Sequence, residues 1–290
     1  MSDVVIAGDT SGSITLRSPA VSGSSVLTLP VATDTLVGKA TTDTLTNKSI
    51  AVTQLTGTLP VANGGTGLTT VPHTVQVFTS GSGTYTLPAN CKAIKVTMVG
   101  GGGGGGGGGT GAGGAAGGAG GNTTFGTNTA NGGGGGPVVY GNPGAGGAIT
   151  GSLGTNLIAI AGGDASSPTT FTNGSGNYTA AGSQGGTSII CGSAGAGGSY
   201  ISGGGAARAN SGCGGGGGGG GNPGAIAYNG VGGGSGGGII CLITSPSATY
   251  AYGIGAAGTA GAAGTGGTNL NPQPGGAGGS GTIIVEEFYV

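Results

Sequence analysis

From residue 73 onward, the candidates for acid–base, nucleophilic or metal chemistry are few. They are the adjacent carboxylates Glu286 and Glu287, one further acid, Asp164, the lone His73, and Cys91, Cys191, Cys213 and Cys241. Cleavage of a glycan would need two carboxylates flanking one bond. Neighbouring residues on a strand point to opposite faces, so Glu286 and Glu287 cannot form that pair. Asp164, in AGGDASSP, stands alone in a long uncharged interval and is expected to cap a turn. His73 follows Pro72 and reads as a boundary residue. No cysteine sits in a CxxC pair or near the histidine, so no zinc site is expected. Cys191 (SIIC) and Cys241 (IICLI) lie in apolar runs and read as buried free thiols. Catalysis requires titratable groups brought together. The chain therefore does not read as an enzyme, and neither a cofactor nor a metal is expected.

Binding chemistry is better represented. Tyr140 (PVVYGNPG), Tyr178 (GNYTAAG), Tyr200 (GGSYISGG) and Tyr228 (IAYNGVG) stand in glycine-rich surroundings. Asn142, Asn177, Asn229 and Arg208 accompany them or lie in the same kind of segment. An aromatic ring on a loop offers a flat platform for a sugar face or an apolar loop at low entropic cost, and Asn and Arg add hydrogen bonds. These eight residues are the candidate binding set. The tyrosines could instead fill gaps between glycine segments.

Something must hold such residues in place, and the composition is unusual for a scaffold. Glycine supplies 82 of 290 residues, charged residues only 4%, and the net charge is −1. This excludes a polybasic surface for nucleic acid or membranes. Disorder usually combines low hydrophobicity with high net charge, and here 35% of residues are hydrophobic. Nine of the thirteen charged residues precede residue 96. The start, MSDVVIAGDTSG, has no basic and apolar leader pattern. No apolar run approaches the ~20 residues of a membrane span.

Residues 1–72 form one compositional block with loose repeats (VLTLPVATDTLVG, ATTDTLTNKSI, LTGTLPVANGGTG). β-branched residues alternate there, punctuated by Pro, Gly and Asn, which predicts short strands and turns. Large side chains are too few for a core, so an extended stalk intertwined with other copies of the chain is expected. Residues 73–290 read as an all-β domain. HTVQVFTSGSGTYTLPANCKAIKVTMV predicts three strands, with Ile94, Val96 and Met98 on one face. Further strands are expected at LIAIA, TSIIC, GIICLIT, TYAYGI and TIIVEEFYV. GIICLIT, apolar on both faces, suggests a central strand of a sandwich, joined to TYAYGI by a hairpin turn at Ser-Pro-Ser-Ala.

Glycine-rich insertions separate the strands, and many repeat every third residue, as at 108, 111, 114, 117 and 120, or 255, 258, 261, 264 and 267. A polyproline-II helix has three residues per turn and no internal hydrogen bonds. A period of three gives it a bare glycine edge, along which backbones can pack and bond. The expectation is a β-sandwich with polyproline-II-type insertions. Flexible linkers and collagen are the competing readings. Linkers gain nothing from the phase, and collagen's strict repeat is broken at NTTF, PVVY and TNLN.

TDTLTNKSI followed by LTGTLPVANGGTG resembles segments of tail-fibre proteins of tailed bacteriophages. FTSGSGTYTLPANCKAIKVTMVGGGGGGG is similar to the opening of glycine-rich tip domains in such fibres, and GGAGGSGTIIVEEFYV resembles their closing strand. The resemblance implies a homotrimer. Residues 1–72 would attach to other tail or baseplate proteins of the virion, and the tip at 73–290 would bind a host glycan or outer-membrane protein. It implies neither nucleic-acid binding nor membrane insertion. The alternative is a structural or ice-binding protein built on packed polyproline-II helices.

Overall fold

The computed structural model describes residues 4–7, 10–16, 49, 51, 73–110, 114–138, 142–172, 178–199, 201–220, 227–265 and 271–289. The chain divides into two units, Met1–Thr56 and Gly57–Val290. In the first, strands β1 (Val4–Ala7) and β2 (Ser13–Leu16) pair antiparallel as Val4↔Leu16 through Ala7↔Ser13. Val4, Val5 and Ile6 are all more than half exposed. Most of the stalk expected over 1–72 lies outside the described residues.

The second unit is all-β among the described residues. Its strands are β3 (His73–Phe78), β4 (Ser82–Thr86), β5 (Ala93–Val99), β6 (Gly109–Thr110), β7 (Thr123–Phe125), β8 (Asn128–Ala130), β9 (Ile149–Thr150), β10 (Thr155–Ile160), β11 (Thr169–Thr172), β12 (Tyr178–Ala181), β13 (Ala227–Tyr228), β14 (Gly238–Ile243), β15 (Thr249–Gly253) and β16 (Thr282–Phe288). Two five-stranded antiparallel sheets carry the core, ordered β10-β14-β5-β16-β3 and β4-β15-β7-β8-β9. Alternation decides which side chains enter it. Ile94, Val96 and Met98 are fully buried, as their spacing predicts, beside Cys241, Ile283 and Val285 from the same sheet. Tyr85, Phe125 and Tyr250 meet them from the other sheet, with the Phe125 and Tyr250 rings stacked at 5.0 Å.

Four expectations need correction. TSIIC is not a strand: residues 182–188 bond to glycine segments and the chain turns at 189–190. β14 and β15 are not a hairpin, because they belong to different sheets, and Ser-Pro-Ser-Ala carries the chain from one layer to the other. Cys191 is not a free thiol but is bonded to Cys213, with Cα atoms 6.1 Å apart. Cys91 and Cys241 are free and buried. Asp164 does not cap its own turn. Its Oδ1 accepts the Gly146 N–H at 2.7 Å, from a different glycine segment.

The glycine segments are held by hydrogen bonds between segments at intervals of three. All nine amides from Gly100 to Gly108 donate to other segments, at 2.8–2.9 Å. Gly100, Gly103 and Gly106 donate to Gly237, Gly234 and Val231; Gly101, Gly104 and Gly107 to Gly121, Gly118 and Ala115; Gly102, Gly105 and Gly108 to Gly279, Gly276 and Gln273. Their carbonyls receive amides from three more segments, for example Gly133, Gly215 and Gly258. The segment 100–108 thus has six neighbours, three antiparallel and three parallel.

Segments 212–220 and 229–237 are likewise bonded on all sides, to each other and to 100–108. Around these three, the other nine segments form a ring closed by hydrogen bonds, in the order 114–122, 131–137, 142–148, 161–168, 182–188, 193–198, 203–208, 271–281 and 254–265. Burial follows this plan. Residues 100–108, 212–220 and 229–237 are continuously buried. In ring segment 254–265, Gly255, Gly258 and Gly261 are buried and the intervening Ala and Thr residues are exposed.

Candidate functional site

The array has two unlike ends. At one, segments pass directly into the sheets: β5 runs into 100–108, β8 into 131–137, β15 into 254–265, and 271–281 into β16. At the other, marked by Gly108, Pro137, Gly219 and Gln273, the chain reverses six times between successive segments. Short pairings knit this far end. β6 pairs with β13, Val138 bridges Gly230, β11 pairs with β12, and Ser199 bridges Ser202. Serine side chains add hydrogen bonds between segments within the array. Ser183 Oγ accepts the Gly232 N–H at 2.7 Å, and Ser235 Oγ accepts the Gly163 N–H at 2.8 Å while donating to the Thr187 carbonyl at 2.6 Å.

The candidate binding residues divide over this frame. Tyr178 begins β12, opposite Thr172, and Tyr228 ends β13, opposite Gly109, both at the far end. Asn142, exposed, opens segment 142–148 at the same end. Tyr140, Asn177 and Tyr200 lie outside the described residues. Asn229 is 6% exposed, and its Oδ1 accepts the Gly220 N–H at 3.1 Å, so it braces two inner segments rather than facing outward. Arg208 is at the wrong end. It is exposed beside the 209–211 turn, on a groove of about 500 Å³ shared with Ile190 and Ala206 near the sheets. The sequence reading missed Ile201, which is 70% exposed between Ser199 and Ser202. Its signal was a large apolar residue in a run of glycine and serine.

Acid–base groups are gathered elsewhere. Glu286 and Glu287 do face opposite ways. Lys95 Nζ is 2.6 Å from Glu286, with His73 at 3.6 Å. Glu287 is 1% exposed inside the core. Gln76 Nε2 donates to its Oε1 at 2.7 Å and the Tyr85 hydroxyl at 2.8 Å, while Thr74 and Tyr289 donate to Oε2. Burial, then the bond to Glu287, pushes the Tyr85 hydroxyl well above the ordinary phenol value, and burial raises Tyr289 as well. These four partners of the carboxylate are donors, buried at Tyr85 and half-buried at Thr74, Gln76 and Tyr289, and the cluster links the two sheets. Among the described residues, no group of three His, Cys, Asp or Glu side chains could hold a metal ion, and no helix is long and apolar enough to cross a membrane.

Among the described residues of the far end, Ile201 is exposed and Tyr228 half-buried, beside the short pairings β6–β13 and Ser199–Ser202. Compared with family models, with curated proteins and with solved structures, the chain has no match.

Proposed function

We propose that this chain is a tail-fibre-type receptor-binding protein of a tailed bacteriophage. The tip, 73–290, binds a host surface glycan or outer-membrane protein, and residues 1–72 join the virion and form a homotrimeric stalk. The observation that carries the reading is the convergence of six chain reversals at one end of the glycine array, opposite the sheets. We take the array segments to be polyproline-II-type helices, because each position along 100–108 bonds to a different neighbour and the pattern repeats every three residues. Such a scaffold holds the described segment ends in place, so residues carried on them, such as Tyr228, cost little ordering on binding, which favours affinity. Three tips on one fibre would multiply modest single-site affinities.

The test is binding of the full chain to a panel of bacterial strains with altered surface polysaccharides and porins. Saturable binding to one host group is expected, weakened about tenfold by Ile201→Asp or Tyr228→Ala. Arg208→Ala, at the opposite end, should leave binding unchanged. Absence of binding to every strain, or equal loss from the Arg208 variant, contradicts the reading.

One observation favours ice binding as a second reading: the regular row of exposed Ala and Thr along 254–265. It predicts thermal hysteresis in solutions of the purified chain.

A further inference from the structure

The outer face of the β10-β14-β5-β16-β3 sheet is built unlike a solvated sheet. A one-sided antiparallel sheet alternates apolar residues inward with polar residues outward. Here the inward face is apolar apart from the Glu287 cluster, and the outward face is largely apolar too. The register sets Val77, Ile284, Thr97, Ile240 and Ile158 side by side across all five strands. In the adjacent row, Val75, Glu286, Lys95 and Leu242 follow one another. Val75, Val77, Ile158 and Ile160 are 49%, 57%, 41% and 51% exposed, and Leu157, at the β10 bulge, is 54% exposed. Together they are most of the exposed large hydrophobics among the described residues after residue 73. Exposed apolar patches of this kind mark interaction surfaces.

We infer that this sheet face is the contact between copies of the chain in the assembled fibre. The inference rests on the homo-oligomer reading above and adds the surface that closes it. Charge selects a second copy as the occupant. The only ionised groups within the two rows are Lys95 and Glu286, 2.6 Å apart. The face is therefore neutral and carries both signs at its centre, so the Lys95 of one copy can meet the Glu286 of the next without leaving a charge unpaired. A sugar or a charged partner would find few polar groups there. The chain also enters the tip through this sheet: β3 starts at His73, directly after the block read as stalk, and it is an edge strand whose outward residues are Val75 and Val77.

Two measurements on the full chain test this. First, Val77→Cys should react with a maleimide about tenfold more slowly in the assembled protein than Ile201→Cys at the far end, since Cys91 and Cys241 are buried. Second, Val77→Lys combined with Ile158→Lys should shift the native mass toward the single chain while circular dichroism stays unchanged. A wild-type monomer, equal labelling at both cysteines, or an unshifted mass for the double variant each overturns the inference. If the double variant loses core structure, the labelling comparison decides alone. Host binding is read in the separate adsorption assay, so the interface can fail while the receptor-binding reading stands.

Discussion

At Gly105 the space for a side chain is gone: a Cβ there would lie 2.0 Å from the Gly216 carbonyl oxygen. The same holds at every glycine from 100 to 108, where the nearest backbone atom would be at 1.9–2.3 Å. Gly105→Ala should therefore cost about 3 kcal/mol or more, as overpacking against rigid backbone does. Ala116→Ser, on the exposed side of a ring segment, should change stability by less than about 0.5 kcal/mol. Urea unfolding of both variants checks the contrast. At Glu287, replacing the carboxylate by an amide sets an N–H₂ against donors from Thr74, Gln76, Tyr85 and Tyr289. Glu287→Gln should lose about 1–3 kcal/mol in the same assay. The Tyr85 hydroxyl supplies a pH dependence. Its pKa in the folded chain is raised above the unfolded value near 10. The folded state thus holds the proton more tightly. Its stabilising contribution is complete below about pH 10 and declines as pH rises beyond that, and the raised Cys91 and Cys241 thiols act in the same direction. Unfolding curves between pH 7 and 11 should show stability falling at the alkaline end; a rise there contradicts the burial of these groups.

Strands and segments were unequally legible in the sequence. AIKVTMV and TIIVEEF could be read because alternation survives when one face is fully buried, and GIICLI could be placed centrally because it lacks a polar face. The short β7 and β8 were missed because TTFGTNTA carries one aromatic and a tight turn at Gly126 (φ 56°) rather than a long pattern. TSIIC misled because a segment braced by the array can hold isoleucines beside a turn. The period of three was legible, but its exception was not. Ring segments need glycine where they face inward or lie tight against a ring neighbour, as at Gly132 and Gly135, where a Cβ would lie 2.0 Å from the Gly120 and Gly117 carbonyl oxygens, whereas the three inner segments meet a neighbour on every side and so approach pure glycine. The Cys191–Cys213 link joins the turn after one ring segment to the start of an inner segment, across 22 residues. Sequence could not supply it, since four cysteines without a motif allow several pairings. Closing a loop of that length stabilises by about 3 kcal/mol. Cys191→Ser with Cys213→Ser should lower Tm by roughly 10 °C in calorimetry, and an unchanged Tm would mean the bond does not form.

For the whole molecule, the central point is an array of bare backbones that is ordered, not slack. Glycine loses more conformational freedom on folding than any other residue, so ordering requires that each amide and carbonyl find a partner and that water be kept out. Three buried segments inside a closed ring of nine provide this, with all nine amides of 100–108 bonded to other segments. The sheets then anchor one end, and the other is left to display loops. Which candidate residues share the far end was only partly legible, because Arg208 and Tyr228 stand in similar glycine-rich sequence yet at opposite ends of the array. Amide hydrogen exchange of the full chain, resolved over 100–108, 212–220 and 229–237, is the most direct measurement. The account predicts that these amides exchange as slowly as those of β5 and β16, opening only with global unfolding. Exchange at the rate of an unstructured glycine peptide would contradict it.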